Sequence, residues 1–245
     1  MRYSLLLFLF ILSCKQPEKQ LTAQQIIDKS IVESGSNKVS SSIISFNFRD
    51  KTYKAYRKDG DYTLERTLKK NDSLIKDVKS NNGFKRFIND FPIAVSDSMG
   101  PKYSNSVNSV HYFSVLPFGL NDKAVQKKIL PSAIINKEEY YKVEITFSEE
   151  GGGEDFEDVF IYWIGKKDFL IDYLAYSYHT NGGGKRFRVL KEQCNRNGIR
   201  FVDYYNYKPK SKDIKLINLD KAFEQNQLKK VSEIILENVK VELLD

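Results

Sequence analysis

The chain has 245 residues with 39 Lys and Arg against 32 Asp and Glu, a formal net charge of +7. The basic residues are scattered among acidic ones, which describes a solvated surface and argues against a nucleic-acid-binding face. Aromatic residues make up 13% of the chain, including 15 Tyr and 16 Phe, enough bulk for a core that holds without disulfide staples.

The chain begins MRYSLLLFLFILSC. A lone positive charge at Arg2 precedes the apolar run Leu5 to Leu12, too short for a permanent bilayer helix of about 20 apolar residues and of the length of a secretory h-region. Ile11, Leu12 and Ser13, followed by Cys14, resemble a bacterial lipobox, in which the cysteine thiol is lipidated before cleavage. An ordinary signal-peptide site prefers small residues at both −1 and −3, and Ile11 is large. The sequence therefore predicts a lipoprotein signal peptide over 1–13, lipidation at Cys14, a tether over 14–21 and a single domain over 22–245. Removing the first 13 of 245 residues leaves 232 and a charge of +6, because only Arg2 is lost. The expected location is the cell envelope, anchored through lipid to the outer membrane on its periplasmic or surface side. Cys194 is then left without a disulfide partner.

Thr22 and Gln25 have capping-box spacing, and Ala23, Ile26, Ile27 and Ile31 follow at helical intervals with Gly35 placed to end the element. From residue 41 the period changes to two. "SIISFNF", "TYKAYR", "DYTLERTLKK" and "SLIKDVKS" are separated by Asp-Gly, Asn-Asp and Asn-Asn-Gly turn signals, as in an antiparallel meander. A second helix is predicted over about 104–114, with Val107, Val110 and Phe113 three apart and "LPFGL" closing it. Its His111 reads as a packed histidine and not as a ligand. Strand signals run from Tyr140 to about Tyr207 through "YYKVEITF", "DVFIYWI", "FLIDYLAYSY", "KRFRVLKEQC" and "IRFVDYYNY". After Leu219 comes a short helical stretch, then "VSEIILENVKVELL", which fits a further helix or a pair of strands.

"VFIYWI" and "FLIDYLAYSY" are apolar on both alternating faces, so both faces must be covered. Hairpins in sequence bring alternate loops to one end of a sheet, which makes "SEEGGGEDFE" and "HTNGGG" neighbours. Three readings of this rim stand side by side: flexible tips whose charges attract weakly, a polar mouth to an apolar pocket, and a calcium site whose spacing does not match an EF-hand loop. In the pocket reading Trp163, Tyr176, His179, Arg186 and Arg188 are the candidate ligand-binding residues, with an apolar tail near Trp163 and Tyr176 and an acidic head at Arg186 or Arg188. The sequence marks no catalytic residue, metal ligand or cofactor site.

At "HYFSVLPFGL", "EEGGGEDFEDVFIYWI", "YLAYSYHTNGGGKRFRV" and "GIRFVDYYNY" the chain resembles a family of lipoproteins from the Bacteroidota, a domain of unknown function. The resemblance spans most of 22–207. It implies a mainly β fold of the α+β kind, similar to LolA and LolB, in which an incomplete antiparallel β-barrel or curved sheet encloses helices. It carries no site residues across. The function expected is a monomeric, lipid-anchored binding module for a lipid, acyl chain or other amphiphile; the alternatives are a docking lipoprotein with a filled core and, last, an enzyme.

Overall fold

The computed structural model describes residues 20–150, 156–179 and 182–245. The predicted signal peptide, Cys14 and most of the tether lie outside the described residues. Helix α1 (Ala23–Glu33) opens the described chain, and its capping box is formed: the Thr22 hydroxyl accepts from the Gln25 backbone N–H at 3.2 Å while the Gln25 side chain accepts from the Thr22 N–H at 2.9 Å. The helix ends where Gly35 takes a left-handed conformation, φ 66°.

A meander follows: β1 (Ser42–Phe48), β2 (Lys51–Lys58), β3 (Asp61–Lys70), β4 (Ser73–Ser80), β5 (Gly83–Ile88) and β6 (Phe91–Ile93). Helix α2 (Gly100–Ser114) starts four residues before the predicted helix, with Pro101 in its first turn, where a missing N–H costs nothing. The second meander is β7 (Val125–Ile135), β8 (Glu138–Phe147), β9 (Val159–Gly165), β10 (Ile171–Tyr178), β11 (Gly184–Arg196) and β12 (Ile199–Pro209); helix α3 (Leu219–Glu224) and strands β13 (Leu228–Ile234) and β14 (Glu237–Leu243) complete the chain. Strand β7 went unread in the sequence because its lysines and Pro131 interrupt the alternation. It is an edge strand whose register slips between Leu130 and Ala133, a place that tolerates proline.

The strands form two seven-stranded antiparallel sheets, ordered β14-β1-β2-β3-β4-β5-β6 and β13-β12-β11-β10-β9-β8-β7, and they do not close into a barrel. The C-terminal "VSEIILENVKVELL" is thus a pair of strands that do not pair with each other. β13 adds to the edge of the second sheet and β14 to the edge of the first, so the two-residue step between them links the sheets.

Helices α1 and α2 lie against one face of the sheets, here called the inner face. Ile26 and Ile27 of α1 are fully buried against Val143, Tyr162 and Leu174 of the second sheet. On α2, Val107 is buried with Ala55 and Leu64 of the first sheet. His111 of the same helix meets the edges of Phe46 and Tyr53 at 5.9 and 5.5 Å between ring centres. Tyr112 and Phe113 reach across to Phe160 of the second sheet. The outer face of the second sheet, with Ile161, Trp163, Tyr173 and Phe187, is covered by Leu219, Ala222 and Phe223 of α3 and the residues before it. Both faces of β9 and β10 are therefore buried, as their double apolar pattern requires.

Candidate functional site

Between α2 and the inner face of the second sheet lies an open cleft of about 830 Å³. Its roof is the α2 face bearing Asn105, Ser109, Tyr112 and Phe113; its floor includes Phe147, Phe160, Tyr176 and Tyr204, and Phe48 reaches it from the first sheet. Strand register explains why these side chains meet. Phe160 of β9, Tyr176 of β10 and Arg186 of β11 are direct cross-strand partners, as are Tyr162, Leu174 and Arg188 one step deeper. Residues opposite each other share a face, so Tyr176, Arg186 and Arg188 all project to the inner side.

Arg188 is 8% exposed. Its guanidinium stands 3.8 Å from the centre of the Phe113 ring and 5.3 Å from that of Tyr176, and Nη2 donates to the Tyr176 hydroxyl at 3.3 Å. Its buried Nε donates to nothing. Among the described residues no carboxylate pairs with Arg188, nor with Arg186, whose Nη1 donates to the Lys185 carbonyl at 2.9 Å and whose guanidinium lies 5.1 Å from the Tyr178 ring. Asn206, opposite Arg188 on β12, donates to Ser232 at 3.1 Å and has a buried Oδ1 that is likewise unpartnered. Rings and guanidiniums thus alternate along the cleft wall as Tyr178, Arg186, Tyr176, Arg188 and Phe113, an arrangement supported by cation–π attraction. Lys79 and Lys102 also line the cleft, with Asp158 the one lining carboxylate among the described residues.

The structure separates the predicted ligand residues. Tyr176, Arg186 and Arg188 come together in the cleft. Trp163 does not join them: it is fully buried on the outer face, where its Nε1 donates to Asp220 at 3.1 Å beneath α3. His179 stays outside the lining; its ring, 65% exposed, faces Asp158 at 3.6 Å. That contact joins residues that flank the two predicted rim loops, while 151–155 ("GGGED") and 180–181 lie outside the described residues. Cleft residues that sequence reading passed over include Phe48, Phe147, Phe160 and Tyr204 on strands and, on α2, Tyr112 and Phe113, which follow His111 on a helix whose apolar spacing reads as packing.

Three buried phenols at or beside the cleft are held protonated. Burial pushes Tyr112 and Tyr204 up to about 12, and burial, reinforced by Tyr112, drives Tyr162 well above its usual value; the Tyr112 and Tyr162 hydroxyls share a hydrogen bond of 3.2 Å. They offer hydrogen bonds, not bases. Among the described residues no three His, Cys, Asp or Glu side chains are grouped to hold a metal ion. No helix among them is long and apolar enough to cross a membrane.

The profile of DUF6503, a family of unknown function, matches residues 1–237. No curated protein matches the sequence. Among solved structures, the fold is similar to a DUF1329 family protein from Desulfovibrio piger, 9% identical, with 89% of this chain and 92% of that one covered and a TM-score of 0.41. It is also similar to a putative outer membrane lipoprotein-sorting protein domain from Vibrio parahaemolyticus, 6% identical, with 88% and 93% covered and a TM-score of 0.43. A third similar structure is the Mycobacterium tuberculosis lipoprotein LppX, 9% identical, with 64% and 89% covered and a TM-score of 0.29.

Proposed function

We propose that this chain, which belongs to the DUF6503 family, is a cell-envelope lipoprotein, anchored through acyl chains on Cys14, whose cleft takes up an amphiphile with an apolar tail and an anionic head. The observation that carries this reading is the buried guanidinium of Arg188 in the wall of an aromatic cleft, without a carboxylate partner among the described residues. Burying a cation is costly unless an anion or a full set of hydrogen bonds meets it, and an anionic head in the cleft would offset that cost. The cleft volume lies within the roughly 300–1,000 Å³ of small-molecule sites, which combine apolar walls with a few placed polar groups. The tail in this reading lies along Phe113, Phe147 and Phe160, and the head at Arg188.

The test is native mass spectrometry of the Cys14→Ala protein purified from cells, followed by titration with a fluorescent fatty acid. A co-purified lipid and saturable binding are expected. Ser109→Trp, at an exposed α2 position that lines the cleft, should fill the entrance and abolish binding without lowering thermal stability. If the wild-type cleft retains no lipid and binds no lipid offered, the binding reading fails and a docking lipoprotein takes its place.

A further inference from the structure

Resting on that binding reading, we infer that the head group recognised in the cleft is a phosphomonoester, a dianion bridged by Arg186 and Arg188, and not a carboxylate. The argument is one of donors and charge. The two arginines are two apart on β11 and share a face, so their backbones stand about 7 Å apart and both side chains line the cleft. Each guanidinium has five N–H donors. Arg188 uses Nη2 on Tyr176 and leaves its buried Nε empty; Arg186 uses Nη1 on the Lys185 carbonyl. Among the described residues neither has a carboxylate partner, although like charges side by side on a sheet repel.

A carboxylate has two oxygens and one charge, which one guanidinium satisfies in a fork-to-fork pair. A second arginine would then be left uncompensated. A phosphomonoester has three terminal oxygens and a charge near −2 at neutral pH, so it can accept from both guanidiniums at once and offset both charges. Lys102, which also lines the cleft, favours the more highly charged head through the field there. Phe113 and Tyr176, whose ring centres lie 3.8 and 5.3 Å from the Arg188 guanidinium, hold it in the cleft wall. Arg186, partly exposed toward the rim, supplies the second contact. The site therefore assigns different roles to the two arginines: Arg188 holds any anionic head, and Arg186 selects the doubly charged one.

The test is calorimetric titration of the full chain carrying Cys14→Ala with three probes below their micellar concentrations: lauric acid, lauroyl lysophosphatidic acid, and glycerol 3-phosphate. The phosphomonoester lipid should bind at least about tenfold tighter than lauric acid, the value of one added hydrogen bond between charged groups. Arg186→Gln should reduce that preference to within about twofold while leaving lauric acid near its wild-type affinity. Arg188→Gln should weaken both lipids. Because Arg188 is buried and its replacement can disturb folding, the comparison of probes on the unsubstituted arginines and on Arg186→Gln carries the decision, with a melting curve for each protein. Equal affinities for the two lipids, or an Arg186→Gln protein that keeps the full preference, overturn the phosphomonoester assignment while the amphiphile reading stands. Glycerol 3-phosphate binding as tightly as the lysolipid would assign the site to a free phosphate compound and overturn the lipid class. Failure of all three probes overturns the amphiphile reading itself.

Discussion

His111 gives the fold a calculable sensitivity to acid. Its ring is 1% exposed, enclosed by Phe46 and Tyr53, and its Nε2–H donates to the Glu65 carbonyl at 3.0 Å, which leaves the ring neutral with Nδ1 unprotonated. Burial pushes its pKa down to about 4, the nearby Arg57 charge adding to the effect and the Glu65 carbonyl opposing it. An unfolded histidine titrates near 6.5. Between these two values the unfolded chain binds a proton that the folded chain refuses, so stability rises with pH there and is lost as pH falls from about 6.5 toward 4. At pH 5 the difference amounts to about 2 kcal/mol relative to pH 7, from 1.36 kcal/mol per pH unit over about 1.5 units. Denaturant unfolding at pH 7 and pH 5, on wild type and on His111→Gln, reads this directly. Glutamine can still donate to the Glu65 carbonyl and does not titrate. Buried carboxyls such as Asp122, Asp172 and Asp203, raised by desolvation, act with the opposite sign in both proteins and cancel from the comparison. Wild type should lose about 2 kcal/mol more than the variant on going to pH 5. Parallel losses in the two proteins would refute the placement of a neutral, desolvated histidine in the α2 interface.

Gly35→Ala should cost several kcal/mol, because the backbone is left-handed there, φ 66°, and an added Cβ would lie 1.7 Å from the Gly198 carbonyl oxygen; a shift of the unfolding midpoint worth less than about 1 kcal/mol would show that the α1 end does not pack against the β11–β12 turn as described. Asp220→Ala should cost about 3–5 kcal/mol by stranding Lys142, whose ammonium lies 2.8 Å from the Asp220 carboxylate with both side chains nearly inaccessible. The double replacement Lys142→Met with Asp220→Leu should recover much of that loss in the same melt, and a double variant no better than the single one would contradict the pairing. Cys14→Ala should release the protein from membranes into the soluble fraction, since acyl burial contributes about 0.8 kcal/mol per CH₂ and no other segment was read as an anchor. Persistence in the membrane pellet after a high-salt wash would count against lipidation.

Much of the fold is legible because period and punctuation agree. Thr22 and Gln25 announce the start of α1 and Gly35 its end, and the first four strands of the meander are bounded by turns whose residues the structure holds at positive φ, among them Asp59 and Asn71. The doubly apolar β9 and β10 announce that something covers the outer face, although not that it is the segment around α3. What escaped has a common physical cause. Strand β7 is an edge strand and β6 has three residues, and neither needs the strict alternation that burial imposes on a central strand. The tail was ambiguous between helix and strand pair because β13 and β14 take their partners from opposite ends of the chain's topology, β12 and β1. No local pattern encodes that choice.

The misplacement of Trp163 has a sharper explanation. Ile171 pairs with Ile164, and had the ladder continued in that register Trp163 would have faced residue 172, putting it on the same side as Tyr176 four residues later. Instead the register shifts, and Tyr173 pairs with Trp163 and Tyr176 with Phe160. One extra residue, Asp172, is accommodated in β10, where its carboxylate accepts from Arg200 at 3.0 Å and from the Tyr140 hydroxyl at 3.2 Å. A single-residue bulge exchanges the two faces of everything beyond it. It sends Tyr176 to the inner side with Phe160 and leaves Trp163 on the outer side with Tyr173. The pairing of β10 with β11 transmits the exchange unchanged, so Arg186 and Arg188 enter the cleft and Phe187 packs against Trp163 at 5.3 Å between ring centres. The arginines and the tryptophan, read from sequence as parts of one site, are divided by this bulge into a binding wall and the core that backs it.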